Sequence, residues 1–276
     1  MNVPAPTSFS FEPAFLALAT AAAVLYARAA RSYRPSRWRV ALFATGLLLI
    51  AATLNSPLET LSDHYLLLIH LLQNAMIADW APPLLLLGLT PAMRQALAGR
   101  GGRIFRRVTE PKVTLPFWLI AWYGVHVSSF YDWALRDGWP LNLEHAILIA
   151  AGLCFWWPLL EPPPRRLTVG PTLAYLGIAF LTSPWLSLAL IFTTSPLYSF
   201  YTHVPRLWGL SATQDQNYAG ILMNAELTAI FFVLLAYHLL HLLAEEERLQ
   251  QEHDAGIRAT LLAQATPDPE GAHDHG

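Results

Sequence analysis

The sequence is poor in charged residues and in cysteine. Charged residues make up 13% of the 276 positions and hydrophobic residues 54%, whereas a soluble domain carries about 25% charged residues. So little polar surface cannot cover a soluble core. The single cysteine, Cys154, excludes an intramolecular disulfide and a Cys-x-x-Cys metal site. Metal chemistry would therefore have to use His, Met, Asp, Glu or Asn.

Other functional signals are also missing. The net charge is -2, and the arginines form short clusters between apolar runs, so we expect no nucleic-acid partner. The sequence has no internal repeat, no glycine-rich phosphate loop and no nucleophile-base arrangement, which argues against an enzyme. No basic residue precedes Arg28, so the first apolar run lacks the basic segment of a cleavable signal, and we expect it to be retained as a span.

Long apolar runs dominate the rest of the chain. A helix needs about 20 mostly apolar residues to cross the roughly 30 Å of bilayer hydrocarbon. Seven stretches qualify: 11–30, 38–55, 64–90, 113–131, 142–160, 171–193 and 217–244. The third is interrupted by Asp79, Pro82 and Pro83, which predicts a kink. The sequence therefore predicts an all-α polytopic membrane bundle of about seven helices.

The arginines give this bundle a direction, because basic residues are retained on the cytoplasmic side. The connections after the first, third and fifth stretches are rich in them, and the opposite connections carry only Arg136 and Arg206. We expect the N-terminus outside, the C-terminus in the cytoplasm, and two regions. We expect residues 1–246 to form the membrane domain and 247–276 to form a cytoplasmic tail that is helical at first and then disordered. The final His273 and His275 of this tail are more typical of a solvated segment than of a metal site.

Ionisable and amide side chains within the spans collect toward the expected outer side. Such residues are costly in hydrocarbon unless they are paired or hydrated, so they mark candidate functional positions. His70 and Asn74 lie on one helical face with Gln73 beside them. Met223 is predicted at a depth similar to that of His70. Imidazole and thioether groups suit copper, and thioether favours Cu(I), so an extracytoplasmic copper site is one hypothesis; interhelical hydrogen bonding by the same histidines is the other.

Several motifs resemble the CtaG-like family of cytochrome c oxidase assembly factors. They run in consistent order through about residues 55 to 240: Ser56-Pro57-Leu58, His70, Gln73, Ala81-Pro82-Pro83-Leu84-Leu85, His126, Tyr131-Asp132, Leu143-Glu144-His145, Phe155-Trp156-Trp157-Pro158, Ser195-Pro196-Leu197-Tyr198 and Asp215-Gln216 with Ala219-Gly220 and Met223. The resemblance implies a multi-pass protein of the bacterial inner membrane that helps to produce active oxidase through delivery or insertion of copper. Its implied partners are oxidase subunits or copper chaperones.

Position by position, the resemblance assigns the candidate site. The predicted metal ligands are His70, His126, His145 and Met223, and the predicted supporting polar residues are Gln73, Glu144, Asp215 and Gln216. Asn74 is added to the supporting residues because it lies on the helical face of His70. The family pattern has His where this chain has Asn74 and Asn142, which removes two copper ligands but keeps hydrogen-bonding capacity.

Four functional hypotheses follow from these observations. The first is an oxidase assembly factor that handles copper on the extracytoplasmic side. The second is a copper or proton-coupled transporter whose path includes Asp79. The third is a scaffold for oxidase subunits that binds no metal and uses its histidines to hold helices together. A haem-binding redox protein is the fourth, and it would need more histidine pairs than His70, His126 and His145 supply.

Overall fold

The computed structural model describes residues 3–136, 138–163 and 165–265. It is 80% helical, and no strand occurs in those ranges, which confirms the all-α class. The helices are α1 (Pro13–Tyr33), α2 (Arg37–Thr53), α3 (Pro57–His64), α4 (Leu67–Ala75), α5 (Ala81–Gly88), α6 (Pro91–Val108), α7 (Pro111–Val125), α8 (Ser128–Ala134), α9 (Gly138–Leu160), α10 (Val169–Thr182), α11 (Pro184–Phe192) and α12 (Ala212–Ala265). A π-helical turn, Met76–Trp80, joins α4 to α5, and a 3-10 turn, Phe200–Thr202, lies between α11 and α12.

The chain carries membrane-spanning helices, although fewer of them are unbroken than predicted. Among the described residues, four helical segments are long and apolar enough to span a bilayer: α1, α9, α10 with α11, and α12. Two bent pairs raise the number to six if each is one span. The fourth predicted stretch forms α7, which at 15 residues is shorter than a usual span. The count of seven and the orientation stay predictions.

The third predicted stretch forms one helical path from Leu67 to Gly88 with the π-helical turn in its middle. Pro82 and Pro83 have no N–H, so the α-helical bonds to the carbonyls four residues earlier cannot form. The N–H of Ala81 bonds instead to the carbonyl of Met76, five residues back. The predicted interruption therefore takes the form of a π-helical turn, an irregularity frequent at functional sites.

Close helix packing fixes α9 against this turn. A Cβ on Gly152 would lie 2.0 Å from the carbonyl oxygen of Ala78, so only glycine allows the two backbones to approach so closely. Between α7, α9 and α12, the rings of Trp118, Phe155 and Phe231 pack together with centroid distances of 4.7 to 6.0 Å. α4, α7, α9 and α12 thus form the centre of the bundle.

Helix α12 passes the predicted domain boundary without a break. It remains helical from Ala212 through residue 246 to Ala265, so the division into a membrane domain and a tail stays a prediction. Residues 266–276, including His273 and His275, lie outside the described residues.

Candidate functional site: a buried polar cluster

Two helices bring five of the predicted polar residues together at one end of the bundle. α4 contributes His70, Gln73 and Asn74, and α9 contributes Glu144 and His145; all are between 0% and 2% exposed. We call these five residues the polar cluster. Along the helical path, His70 is 18 residues from Gly88, or about 27 Å. The cluster therefore lies nearly a bilayer's hydrocarbon thickness from the arginine-rich α6.

The carboxylate of Glu144 is the centre of the cluster. Its Oε1 accepts a hydrogen bond of 3.0 Å from Nδ2 of Asn74 and lies 3.3 Å from Nε2 of His70. These contacts join α4 to α9 inside the bundle. Asn74 thus supports the carboxylate by hydrogen bonding, and Asn142 does the same for Glu12 through a bond of 2.9 Å.

Hydrogen bonding around His70 places a proton between it and Glu144. The hydroxyl of Tyr201 donates its hydrogen to the carbonyl of Ser62 at 2.6 Å. Burial raises the pKa of Tyr201 well above its ordinary value, so this hydrogen stays in place. Nδ1 of His70, 3.1 Å from the same hydroxyl, must then be the donor. A neutral His70 has no second N–H, so its contact with Glu144 requires one further proton, on the imidazole or on the carboxyl group.

His145 is fully buried and differs from His70 in having free nitrogens. Neither Nδ1 nor Nε2 of His145 has a hydrogen-bond partner in the described structure, and the same holds for Oε2 of Glu144 and Oδ1 of Asn74. The ring of His145 lies 6.2 Å from that of His70 and 6.0 Å from that of Phe15, between centroids. An unpartnered buried polar atom costs about 1–3 kcal/mol, so these atoms mark a place suited to an ion or another polar ligand.

His126, at the end of α7, lies beside the cluster with its tautomer fixed. Its Nδ1 donates to the carbonyl oxygen of Trp122 at 2.7 Å, and its Nε2 is buried without a hydrogen-bond partner among the described residues. The ring of Tyr131 lies 5.8 Å from His126 and 4.9 Å from His70. The neutral imidazole of His126 therefore presents the Nε2 lone pair, the atom with which a histidine binds a metal ion.

Asp215 positions α4 and not a metal ion. Its two carboxylate oxygens accept the N–H groups of Leu67 and Leu68, each at 2.9 Å. Leu66 precedes the first turn of α4 and provides no side-chain cap, so the carboxylate from α12 takes that role. Arg206 lies 3.5 Å from the same carboxylate and balances its charge.

The last two predicted residues have structural contacts as well. Oε1 of Gln216 accepts the N–H of Leu197 at 2.6 Å, and its Nε2 faces the carbonyl oxygens of Leu190 and Ser195. Gln216 thereby holds the connection between α11 and α12. Met223 is 2% exposed and belongs to the large apolar cluster that also contains Trp122 and Tyr131.

Sequence reasoning missed three residues that complete these contacts. Glu59 of α3, 1% exposed, accepts a hydrogen bond from Nε2 of Gln73. Tyr201 comes from a loop that carries no periodic pattern. Glu226 of α12 accepts a hydrogen bond of 2.7 Å from Nε1 of Trp80 and lies near Asp79. Two carboxylates repel each other, so Glu226 is a neighbour and not an ion-pair partner of Asp79, whose Oδ2 has no hydrogen-bond partner among the described residues. Glu226 could have been noticed as an acidic residue within the seventh apolar stretch, whereas Glu59 stands among polar residues between two stretches and gives no such signal.

The described side chains do not form a complete metal site. No group of three or more His, Cys, Asp or Glu in the described ranges could hold a metal ion. His70 and His145 are neighbours, and His126 is separated from His70 by the ring of Tyr131. The predicted ligands thus share one region without surrounding a common point.

Comparison with known proteins decides the family. The family model of the cytochrome c oxidase caa3 assembly factor (Caa3_CtaG) matches residues 21–245. The chain belongs to this family. The match confirms the resemblance seen in the motifs and covers the whole polar cluster, His126 and Asp215. Searches of curated proteins and of solved structures found no match. Membership in the caa3 assembly factor family suggests association with oxidase subunits and a role without catalysis.

Proposed function

We propose that this caa3 assembly factor supplies copper to its oxidase from the extracytoplasmic side of a bacterial inner membrane. The assembly role comes from the family, and copper is proposed as the cargo. Oxidase subunits or copper chaperones are the proposed partners. The depth of the polar cluster supports the extracytoplasmic side. The cluster lies at the opposite end of the spans from α6, whose arginines are expected in the cytoplasm.

The observation that carries the proposal is the arrangement of His126. Metal-binding histidines usually donate their second ring N–H to a carbonyl or carboxylate, which fixes the tautomer and strengthens the ligand. His126 donates to the carbonyl of Trp122 in this way, and its Nε2 is buried and unengaged in the described structure.

The contacts also rank the predicted ligands. Both nitrogens of His70 are in hydrogen-bond contacts, with Tyr201 and Glu144, so binding a metal would disrupt them. Both nitrogens of His145 are unengaged within the described residues. We therefore propose that His126 and His145 each contact copper, without a shared site in this structure, and that His70 holds Glu144. A small number of protein ligands suits a copper carrier, because the carrier must release the copper to the oxidase.

Complementation of a strain that lacks the gene tests this proposal. Oxidase copper content and activity are measured after expression of wild-type protein, His126→Ala, His145→Ala and the control His241→Ala, which removes an exposed histidine of α12. We expect the first two variants to lower oxidase copper and the control to behave as wild type. Normal oxidase copper in the deletion strain would overturn the proposal.

A scaffold that binds no metal is the second candidate, and it also has structural support. Predicted site residues such as His70, Asp215 and Gln216 join helices and loops through hydrogen bonds, as the scaffold hypothesis expects. A double variant His126→Ala/His145→Ala that folds and restores full oxidase copper would favour this candidate. The transporter hypothesis depends on Asp79, and copper uptake into vesicles that is unaffected by Asp79→Asn would argue against it.

A further inference from the structure

A continuous apolar groove runs along α1. Three adjoining cavities of about 630, 340 and 330 Å³ lie between α1 and the helices α2, α5, α6 and α9, and all three are lined by Ala22. We call them together the α1 groove. It extends along α1 from Phe15 to Tyr33, a rise of about 27 Å, which is close to the hydrocarbon thickness of a bilayer. One lipid acyl chain spans one leaflet, which is about half of that thickness.

The α1 groove ends at a basic helix that turns away from the spans. α6 is bent by 102° from the preceding helical path Leu67–Gly88, the direction expected of a segment that lies along a membrane surface. It contains no acidic residue and carries five arginines: Arg94, Arg100, Arg103, Arg106 and Arg107. Leu97, Ile104 and Val108 of α6 are 42%, 77% and 46% exposed. α6 is itself kinked at Gly102, and exposed apolar and arginine side chains on both sides of the kink are typical of a segment that meets anionic lipid at the membrane interface.

Arg100 places an unneutralised charge at the groove. It lines two of the three cavities and is exposed. By contrast, Arg39 and Arg94 are engaged with carbonyl oxygens at the end of α5, Arg94 with that of Leu86 at 2.8 Å. Within the described part of the chain, no acidic side chain forms an ion pair with Arg100.

We propose that the α1 groove binds one phospholipid with an anionic head group. An acyl chain fills the groove beside Ala22, and Arg100 contacts the phosphate. Charge complementarity favours this occupant over a wholly apolar ligand, since only a lipid with an anionic head group would pair with the exposed Arg100. Such a lipid seals α1, which makes few contacts with the rest of the bundle, against α5 and α9.

Lipid retention by the purified full-length protein tests the proposal. The detergent-solubilised protein is incubated with phosphatidylglycerol or phosphatidylcholine of identical acyl chains, and bound lipid is counted by native mass spectrometry. We expect phosphatidylglycerol to be preferred, and Arg100→Gln to weaken its retention about fivefold. Arg248→Gln, at an exposed position of α12 remote from the groove, is the control and should change nothing.

A second pair of variants tests the acyl chain. Ala22→Phe fills the groove and is expected to abolish retention of both lipids, whereas Ala23→Phe, at the exposed neighbouring position, should retain them as wild type does. Equal retention of the two lipids by wild-type protein would overturn the proposal, and so would full retention by Ala22→Phe. Dimers in place of bound lipid would show that a second copy covers the groove, which also overturns it. Arg100→Gln decides the head-group contact even if Ala22→Phe does not fold.

Discussion

Replacing Asp215 tests the most specific packing inference, namely that a carboxylate of α12 caps α4. Asp215→Ala leaves the N–H groups of Leu67 and Leu68 without their acceptor. Each orphaned buried donor costs about 1–3 kcal/mol, and the lost charge at the helix N-terminus adds up to about 1 kcal/mol. Interhelical hydrogen bonds in membrane proteins average only about 0.6 kcal/mol, because the unfolded chain finds other partners. We therefore expect a loss of about 2–3 kcal/mol, toward the lower end of this range.

Thermal unfolding of the purified protein in detergent measures this loss. At about 2–4 °C per kcal/mol, Asp215→Ala should lower the midpoint by roughly 5–10 °C. Asp215→Asn keeps one acceptor oxygen, so its midpoint should lie between those of the wild-type protein and Asp215→Ala. Gln214→Ala, which removes only an exposed bond to Ser211, is the control. A loss of stability below about 1 kcal/mol for Asp215→Ala would refute the capping role. An equal loss of stability for Asp215→Asn and Asp215→Ala would refute it as well.

Two further variants test, by the same assay, the packing of α9 against the π-helical turn and the hydrogen bonds of His70. Gly152→Ala should lower the free energy of unfolding by about 1–3 kcal/mol, since its Cβ would lie 2.0 Å from a carbonyl oxygen of the π-helical turn. The control Gly177→Ala, whose Cβ would enter open space, should leave stability unchanged. Equal stability of the two variants would contradict the close packing at Gly152. Tyr201→Phe should cost about 1–2 kcal/mol, because it removes the acceptor of His70 and a buried hydrogen bond. The control Tyr237→Phe, at an exposed position, should not change the unfolding midpoint. An unchanged midpoint for Tyr201→Phe would contradict the hydrogen bonds assigned to Tyr201.

The length of the apolar stretches predicted the all-α class. It could not predict where the helices within those stretches are interrupted. Stretches of about 20 apolar residues have no stable alternative to helix in a bilayer. Breaks depend on which backbone groups find other partners. At Ala81 the proline-induced loss of α-helical bonds becomes a π-helical bond to Met76, and at Leu66 the chain leaves the helix because Asp215, far away in sequence, caps the next one.

Sequence spacing could indicate which polar residues are neighbours, but it could not assign their roles, and the metal ligands stay a prediction. The helical spacing of His70 and Asn74 correctly placed them on one face, and both reach Glu144. Periodicity cannot show which neighbour a nitrogen meets, so the engaged His70 and the unengaged His145 look alike in sequence. Loop residues carry no depth signal at all, which is why Tyr201 was missed.

Binding of Cu(I) to the purified protein tests the central claim most directly. Copper retained after desalting is measured for wild type, His126→Ala, His145→Ala, His70→Ala and the control His241→Ala. The account predicts that wild type and His241→Ala retain copper, and that His126→Ala and His145→Ala lose most of it. A wild-type protein that retains no Cu(I), or full retention by His126→Ala, would contradict it.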